Sequence, residues 1–277
     1  MSDLIDQVAS NPLGRIAYRT LRPLVHLTRR LSHPGLPNNR QITKVAYRGR
    51  QFRLQHRRWN KSDLLAIDQC FRDLQYELPT GAHGALVEKV YSGILASGRQ
   101  PLIVDCGANL GASVTWFSAR YPEAHIVGIE PAPDNFDFLT HNCAGLDVDL
   151  RQAGIAPKAG RAWLHDTGDS AMGYRITSCP DKIAVDLVTM DDLLATKPAS
   201  RYAPFLLKID IEGAERDLFT GNEAVFNSFP LIIIEPHDWM FPGELSSLDF
   251  FRFHAAAGRE FSMKRENVVS IAAQSGR

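Results

Sequence analysis

The apolar and polar positions of this chain fall into two periods. From residue 101 onward, short apolar runs alternate with stretches of helical spacing. Leu102–Val104, His125–Ile129, Phe205–Ile209 and Leu231–Ile234 are uninterrupted or nearly so, as expected of strands covered on both faces. Helical spacing follows the first through Ala112, Val114, Phe117 and Ala119, and the second over 133–144. The pattern predicts strands at 101–106, 125–130, 148–153, 205–210 and 231–235, with shorter candidates at 161–165 and 183–188 flanking a loop. After a helix over 246–257, Phe261–Met263 and Val268–Ile271 read as a closing antiparallel pair. Strands alternating with helices imply an α/β protein with a parallel sheet covered on both sides. Upstream, residues 61–97 are helical in two pieces, with Leu64, Ile67, Phe71 and Leu74 on one face, and Val45, Tyr47, Phe52 and Leu54 alternate across a hairpin over 42–54. Residues 1–37 read as interrupted helix, with an apolar stripe through Leu13, Ile16, Leu24, Leu27 and Leu31, and Pro34–Asn39 as a linker. The organisation expected is a basic extension over 1–60 followed by an α/β domain over 61–277.

The acids stand where the apolar runs end. Asp105, Glu130, Asp210 and Glu235 each close a predicted strand. In an open parallel sheet, ligands bind beyond these ends. Gathering four carboxylates at one edge is electrostatically unfavourable and is tolerated where something useful binds.

The turn after the first strand is Asp105-Cys106-Gly107-Ala108-Asn109-Leu110-Gly111. Strand, glycine turn and helix bring backbone close to a nucleotide-like ligand. Gly107 takes a tight turn and leaves room for a ligand, and Gly111 lets the helix pack close to the strand. The dinucleotide fingerprint needs glycine where Asn109 stands. A pyrophosphate wants bare N–H groups there, whereas an amino-acid end can use an Asn side chain and a nearby carboxylate. The spacing therefore favours S-adenosylmethionine over NAD. Glu130, 19 residues past Gly111, is placed to accept hydrogen bonds from ribose hydroxyls; a helix cap is the plainer reading, which Asp134 serves better.

The second signature is Lys208-Ile209-Asp210-Ile211-Glu212-Gly213-Ala214-Glu215. Strand period puts Lys208 and Asp210 on one side, as a catalytic pair or a structural ion pair. Glu212 and Glu215 are expected to open the next helix, where acids suit its dipole. His237, two residues past the fifth run, is nominated as general base, with Asp210 orienting it or acting instead. A divalent metal on Asp210, Glu212, Glu235 or His237 is the alternative. No spacing demands one, so no metal is assigned.

Net charge is zero but uneven. Residues 1–60 hold 12 Lys+Arg and 2 acids, against 19 and 29 in the remainder. A basic amphipathic start can touch an anionic membrane surface or a phosphate-bearing partner, although a solvated face over a packed stripe is the commoner meaning. The four cysteines are scattered, as in a reducing compartment, and no apolar run approaches a membrane span. A cytoplasmic protein is expected, with peripheral contact at the inner membrane surface open through the N-terminus. Asn-Pro-Pro-Tyr is absent, so methylation of adenine amino groups is disfavoured, and nucleic acid is an unfavoured partner.

Together, Val104–Gly111, Gly128-Ile129-Glu130-Pro131, Val185–Leu193 and Lys208–Glu215 resemble the FkbM family of S-adenosylmethionine-dependent methyltransferases, as does Tyr76-Glu77 upstream. The resemblance runs from about residue 60 to the end. It implies a class I, Rossmann-like fold with a seven-stranded sheet, and O-methylation of a hydroxyl on a sugar, glycan or small metabolite. Carried over by position, Asp105, Gly107, Asn109 and Gly111 line the methionine end of the cofactor, Glu130 holds its ribose, and backbone at Ile155-Ala156 flanks the adenine. An RNA methyltransferase and an NAD(P)-dependent oxidoreductase stand as the rival readings.

Overall fold

The computed structural model describes residues 39–78, 81–166, 174–177, 183–216 and 218–273. The basic stretch over 1–37, Cys179 and most of the glycine-rich loop 166–174 lie outside them. The elements in chain order are β1 (Arg40–Tyr47), β2 (Arg50–Arg57), α1 (Lys61–Phe71), α2 (Ala82–Ala96), β3 (Gln100–Cys106), α3 (Ala112–Arg120), β4 (His125–Ile129), α4 (Pro133–Asn142), β5 (Val148–Arg151), β6 (Gly154–Ile155), β7 (Gly160–Asp166), β8 (Tyr174–Thr177), β9 (Ile183–Val188), α5 (Met190–Ala195), β10 (Tyr202–Ile209), α6 (Glu223–Asn227), β11 (Leu231–Ile234), α7 (Leu248–Ala256), β12 (Glu260–Lys264) and β13 (Asn267–Ile271).

The main sheet has seven strands in the order β12-β13-β11-β10-β3-β4-β5. β11, β10, β3, β4 and β5 run parallel, and β13 and β12 form the expected antiparallel closure. The order reverses at β3 and β10, so a ligand crevice belongs at their carboxyl ends. The central runs are apolar because both faces are covered. Ile103, Leu206, Leu231 and Ile233 join one core with α2 and α3, while Val104, Leu207, Ile232 and Ile234 join the other with Phe219, Phe226, Phe250 and Phe253. β6, β7, β8 and β9 build a separate four-stranded sheet in the order β6-β9-β7-β8.

Packing shows no break at residue 60, where the sequence placed a boundary. Leu54 of β2 is wholly buried in the core shared by α1, α2 and α3, and Val45 and Tyr47 of β1 pack on it. Asn142, at the end of α4, receives the backbone N–H of Gln55 at 2.7 Å and donates to the carbonyls of Gln55 and Leu110 at 2.9 and 2.7 Å. One amide thus ties the hairpin to the glycine turn. Asn60 starts α1, its Oδ1 accepting from Ser62 and Asp63 N–H. α4 starts at Pro133, a residue suited to the first helical position.

No α-helix opens directly after Asp210. Glu212 has φ 55° and Gly213 φ 89°, and two successive left-handed residues exclude a right-handed helical turn. Residues 212–216 form turns instead, which removes the helix-dipole account of Glu212 and Glu215.

Candidate active site

The carboxyl ends of β3, β4 and β10 surround an open cleft. Ladder-like hydrogen bonds continue past the strands and fix the tips. The N–H groups of Gly107 and Ala108 donate to the carbonyl of Ile129 at 3.0 and 2.9 Å, and Asp210 N–H donates to that of Cys106 at 3.1 Å. Gly107, Asn109, Glu130, Asn135, Asp210 and Glu212 supply the polar lining. Ile129, Pro131, Ile155 and Ile176 are among its apolar walls.

Glu130 is the best-held of these. Its Oε2 accepts the backbone N–H of Asn109 at 2.8 Å, and its Oε1 accepts Ala132 N–H at 2.9 Å and Asn135 Nδ2 at 3.3 Å. Two carboxylate oxygens offer about four acceptor sites, so capacity remains for a ligand hydroxyl. Burial pushes its pKa up to about 7, and those three donors only partly offset it. Asn135 is itself held: Arg57 Nη2 donates to its Oδ1 at 2.7 Å, while the same guanidinium reaches Asp63 and Asp134, each at 2.8 Å. Sequence reasoning missed Asn135 and Arg57. The two-residue gap between Glu130 and the start of α4 at Pro133 was the available signal for Asn135; nothing local pointed to Arg57.

Asn109 sits at φ 48°, an uncommon backbone for a residue other than glycine, and lines the cleft with no partner for its buried Oδ1 among the described residues.

Other predicted residues lie elsewhere than expected. Asp105 is fully buried beneath the turn, outside the cleft lining, with Lys208 Nζ 3.1 Å from its Oδ1. Lys208 is its cross-strand partner in register, and its Nζ also donates to the carbonyl of Gly107 at 2.7 Å and lies 3.4 Å from Asp210 Oδ2. Burial opposes the lysine's charge, but Asp105 and Asp210 outweigh it and hold the pKa well above the usual value. Lys208 is thus a buried clasp between two strand tips. Gly107 does line the cleft, and at φ 84° it also leaves room for protein: an added Cβ would stand 1.8 Å from the carbonyl oxygen of Asp210. Gly111 faces α4, where a Cβ would meet Leu139 at 2.9 Å and Cys143 at 3.1 Å, so it sets helix on helix instead of helix on strand. The N–H of Ala156 bonds Val188, and Ala153–Ile155 reach the cleft in its place.

His237 is also placed differently. It is 1% exposed and off the cleft wall. Its Nδ1 lies 2.7 Å from Glu215 Oε1. Burial disfavours its charge, but Glu215, Asp210 and Glu212 override that and raise its pKa to about 9. Burial, then Asp210, push Glu212 up to about 7 and Glu235 up to about 8. Of the acids around His237, Asp210 and Glu212 reach the cleft.

A seven-stranded sheet of this order, with a carboxylate at the second strand tip and a glycine turn at the first, defines a class I methyltransferase fold. The family model described as Methyltransferase FkbM domain matches residues 105–258, more than half of the chain, and the chain belongs to that family. Among curated proteins it is 26% identical over 147 residues to the hexuronic acid methyltransferase AglP of Haloferax volcanii, covering 52% of this chain and 59% of that protein. It is 29% identical over 160 residues to methyltransferase sdnD of Sordaria araneosa, covering 44% and 60%. The chain thus spans about 60% of the length of these relatives. A solved O-methyltransferase from Bacillus cereus in complex with SAH aligns at 13% identity and TM-score 0.37, over 77% of this chain and 92% of that one.

Proposed function

We propose that this chain is an S-adenosylmethionine-dependent O-methyltransferase whose acceptor is a hydroxyl of a sugar, glycan or other small metabolite. The observation that carries this reading is Glu130 at the tip of β4, locked to the glycine turn through Asn109 N–H and opening into a cleft with apolar walls. The residues fit the cofactor: Glu130 has acceptor capacity left for a ribose hydroxyl, and the unpartnered Oδ1 of Asn109 can receive an ammonium group. Ile129, Pro131, Ile155 and Ile176 form a slot for a flat heterocycle, with Asn135 keeping Glu130 in place.

When bound, S-adenosylmethionine supplies a sulfonium-activated methyl, and its C–S bond electrons return to sulfur as the acceptor oxygen gains the methyl. The chain's own work is to position and to receive a proton. Asp210 and Glu212 stand at the cleft, and with Glu235 they form the carboxylate group that takes the hydroxyl proton. Lys208 holds Asp210 from beneath and neutralises part of the cluster's charge. The acceptor class is supported by the relative that acts on hexuronic acid.

The test is thermal. S-adenosylhomocysteine should raise the melting temperature of the purified chain and NADH should not, and radiolabelled methyl should pass to one member of a panel of sugars and sugar nucleotides. Stabilisation by NADH alone would overturn the reading.

A further inference from the structure

The turn after β11 carries His237 back against the acids at the tip of β10. Its two ring nitrogens are in different situations. Nδ1 is engaged by Glu215, which is itself wholly buried. Nε2 has no hydrogen-bond partner among the described residues and faces three carboxylate oxygens: Asp210 Oδ1 at 3.6 Å, Glu235 Oε1 at 3.7 Å and Glu212 Oε2 at 3.8 Å. These separations are too long for hydrogen bonds. They suit atoms sharing an ion, since ligands about 2.1 Å from an octahedral centre stand roughly 3 Å apart when adjacent and roughly 4.2 Å when opposite. The ligand atoms of Asp210, Glu212 and His237 all lie within 4.8 Å of one another.

A buried imidazole aimed by its far nitrogen into carboxylates, with another carboxylate on the near nitrogen, is the arrangement that orients metal-binding histidines. The outer acid fixes the tautomer and ring plane and leaves Nε2 as the donor to the ion. Charge points the same way. Four carboxylates lie within 4 Å of the ring, and the lysine that touches one of them, Lys208, is shared with Asp105.

We infer that Asp210, Glu212 and His237 hold one divalent cation of the Mn²⁺ or Mg²⁺ class, with Glu235 beside it. One imidazole among carboxylates suits Mn²⁺ well. The inference rests on the proposed methyl transfer for its purpose. An ion here adjoins the cleft through Asp210 and Glu212, binds the acceptor oxygen and lowers the pKa of its hydroxyl. The proton passes to Glu235, the oxygen lone pair forms the O–CH₃ bond, and the C–S pair leaves with sulfur.

The experiment is electron paramagnetic resonance of Mn²⁺ added to the EDTA-treated full chain, with calorimetry of S-adenosylhomocysteine in parallel. One equivalent of Mn²⁺ per chain should vanish from the free-ion signal and return with excess Mg²⁺. Asp210→Asn and Glu212→Gln, each checked for folding by circular dichroism, should weaken binding at least tenfold, while Glu260→Gln, on the exposed face of β12, should not. Cofactor-product binding without stoichiometric Mn²⁺ in the parent chain overturns the ion site and leaves the methyltransferase reading intact. Stoichiometric Mn²⁺ without product binding does the reverse. Neither, in folded protein, overturns both.

Discussion

Gly107 and Asp210 meet backbone to backbone: a Cβ on the glycine would stand 1.8 Å from the aspartate's carbonyl oxygen. The tips of β3 and β10 are therefore as close as two main chains can come, and Lys208 Nζ, donating to the Gly107 carbonyl at 2.7 Å, clasps them from behind.

Gly107→Ala follows directly. The new methyl meets backbone that has no rotamer to escape into, at a φ of 84° that alanine also disfavours. The tips must part, at about 2–4 kcal/mol. Differential scanning calorimetry should show a melting temperature lower by roughly 5–12 °C. An unchanged melting temperature would mean that the strand tips are not in contact.

Glu130 makes stability depend on pH. Its folded pKa of about 7 lies above its ordinary value of 4.5, so the folded chain binds more protons in that interval. Its contribution is complete below pH 4.5, falls as pH rises through 7 and is then flat. Glu130→Gln removes the fall. Urea unfolding of the two proteins at pH 5 and pH 8 should show the variant gaining relative to the parent by up to ~3 kcal/mol at the higher pH. Parallel curves would place Glu130 in water.

Arg57 links the hairpin to the site. Arg57→Ala leaves Asp63, wholly buried, with the Arg57 backbone N–H but without the guanidinium, and frees Asn135. Stability should drop by about 2–4 kcal/mol. S-adenosylhomocysteine affinity, read by calorimetry, should fall as well. Arg57→Lys should recover little, since one ammonium does not replace a fork that reaches Asp63, Asp134 and Asn135. Full recovery by lysine would show that charge alone matters at this position.

Gly213 carries the second close approach. A Cβ there would meet the ring of Phe241 at 2.2 Å, at φ 89°. Gly213→Ala should push Phe241 outward, with the turn that holds His237 and Asp238. Methyl transfer should slow by tenfold or more with product affinity unchanged, because neither Gly213 nor Phe241 lines the cleft. A parallel loss of affinity would contradict that division.

Much of this was readable before the structure. Both-faced burial wrote β3, β4, β10 and β11 as apolar runs, and their closing acids marked the edge. Strand period placed Lys208 and Asp210 on one side, as found. What local sequence did not carry was contact at a distance. Gly107 has the same letter whether it faces a ligand or Asp210. Asp105 ends a strand like Glu130, yet only Glu130 reaches the cleft, because the turn folds over Asp105. The hairpin resembled a basic extension because its arginines are visible in composition, while the Asn142 amide and the Arg57 fork that bind it to the domain are not. The left-handed pair Glu212-Gly213 broke a helix that acids and spacing both favoured. Sequence put Asp210, Glu212 and Glu235 near His237, but it set Glu215 in a helix and gave no hint of its contact with Nδ1 of that histidine.

The central claim is that the cleft between Gly107, Glu130 and Asp210 takes an adenosine with an amino-acid tail. Isothermal titration of the chain with S-adenosylhomocysteine tests it most directly. One site per chain is predicted, weakened at least tenfold by Glu130→Gln. Well-folded protein that gives no heat, or a variant that binds as tightly as its parent, would contradict it.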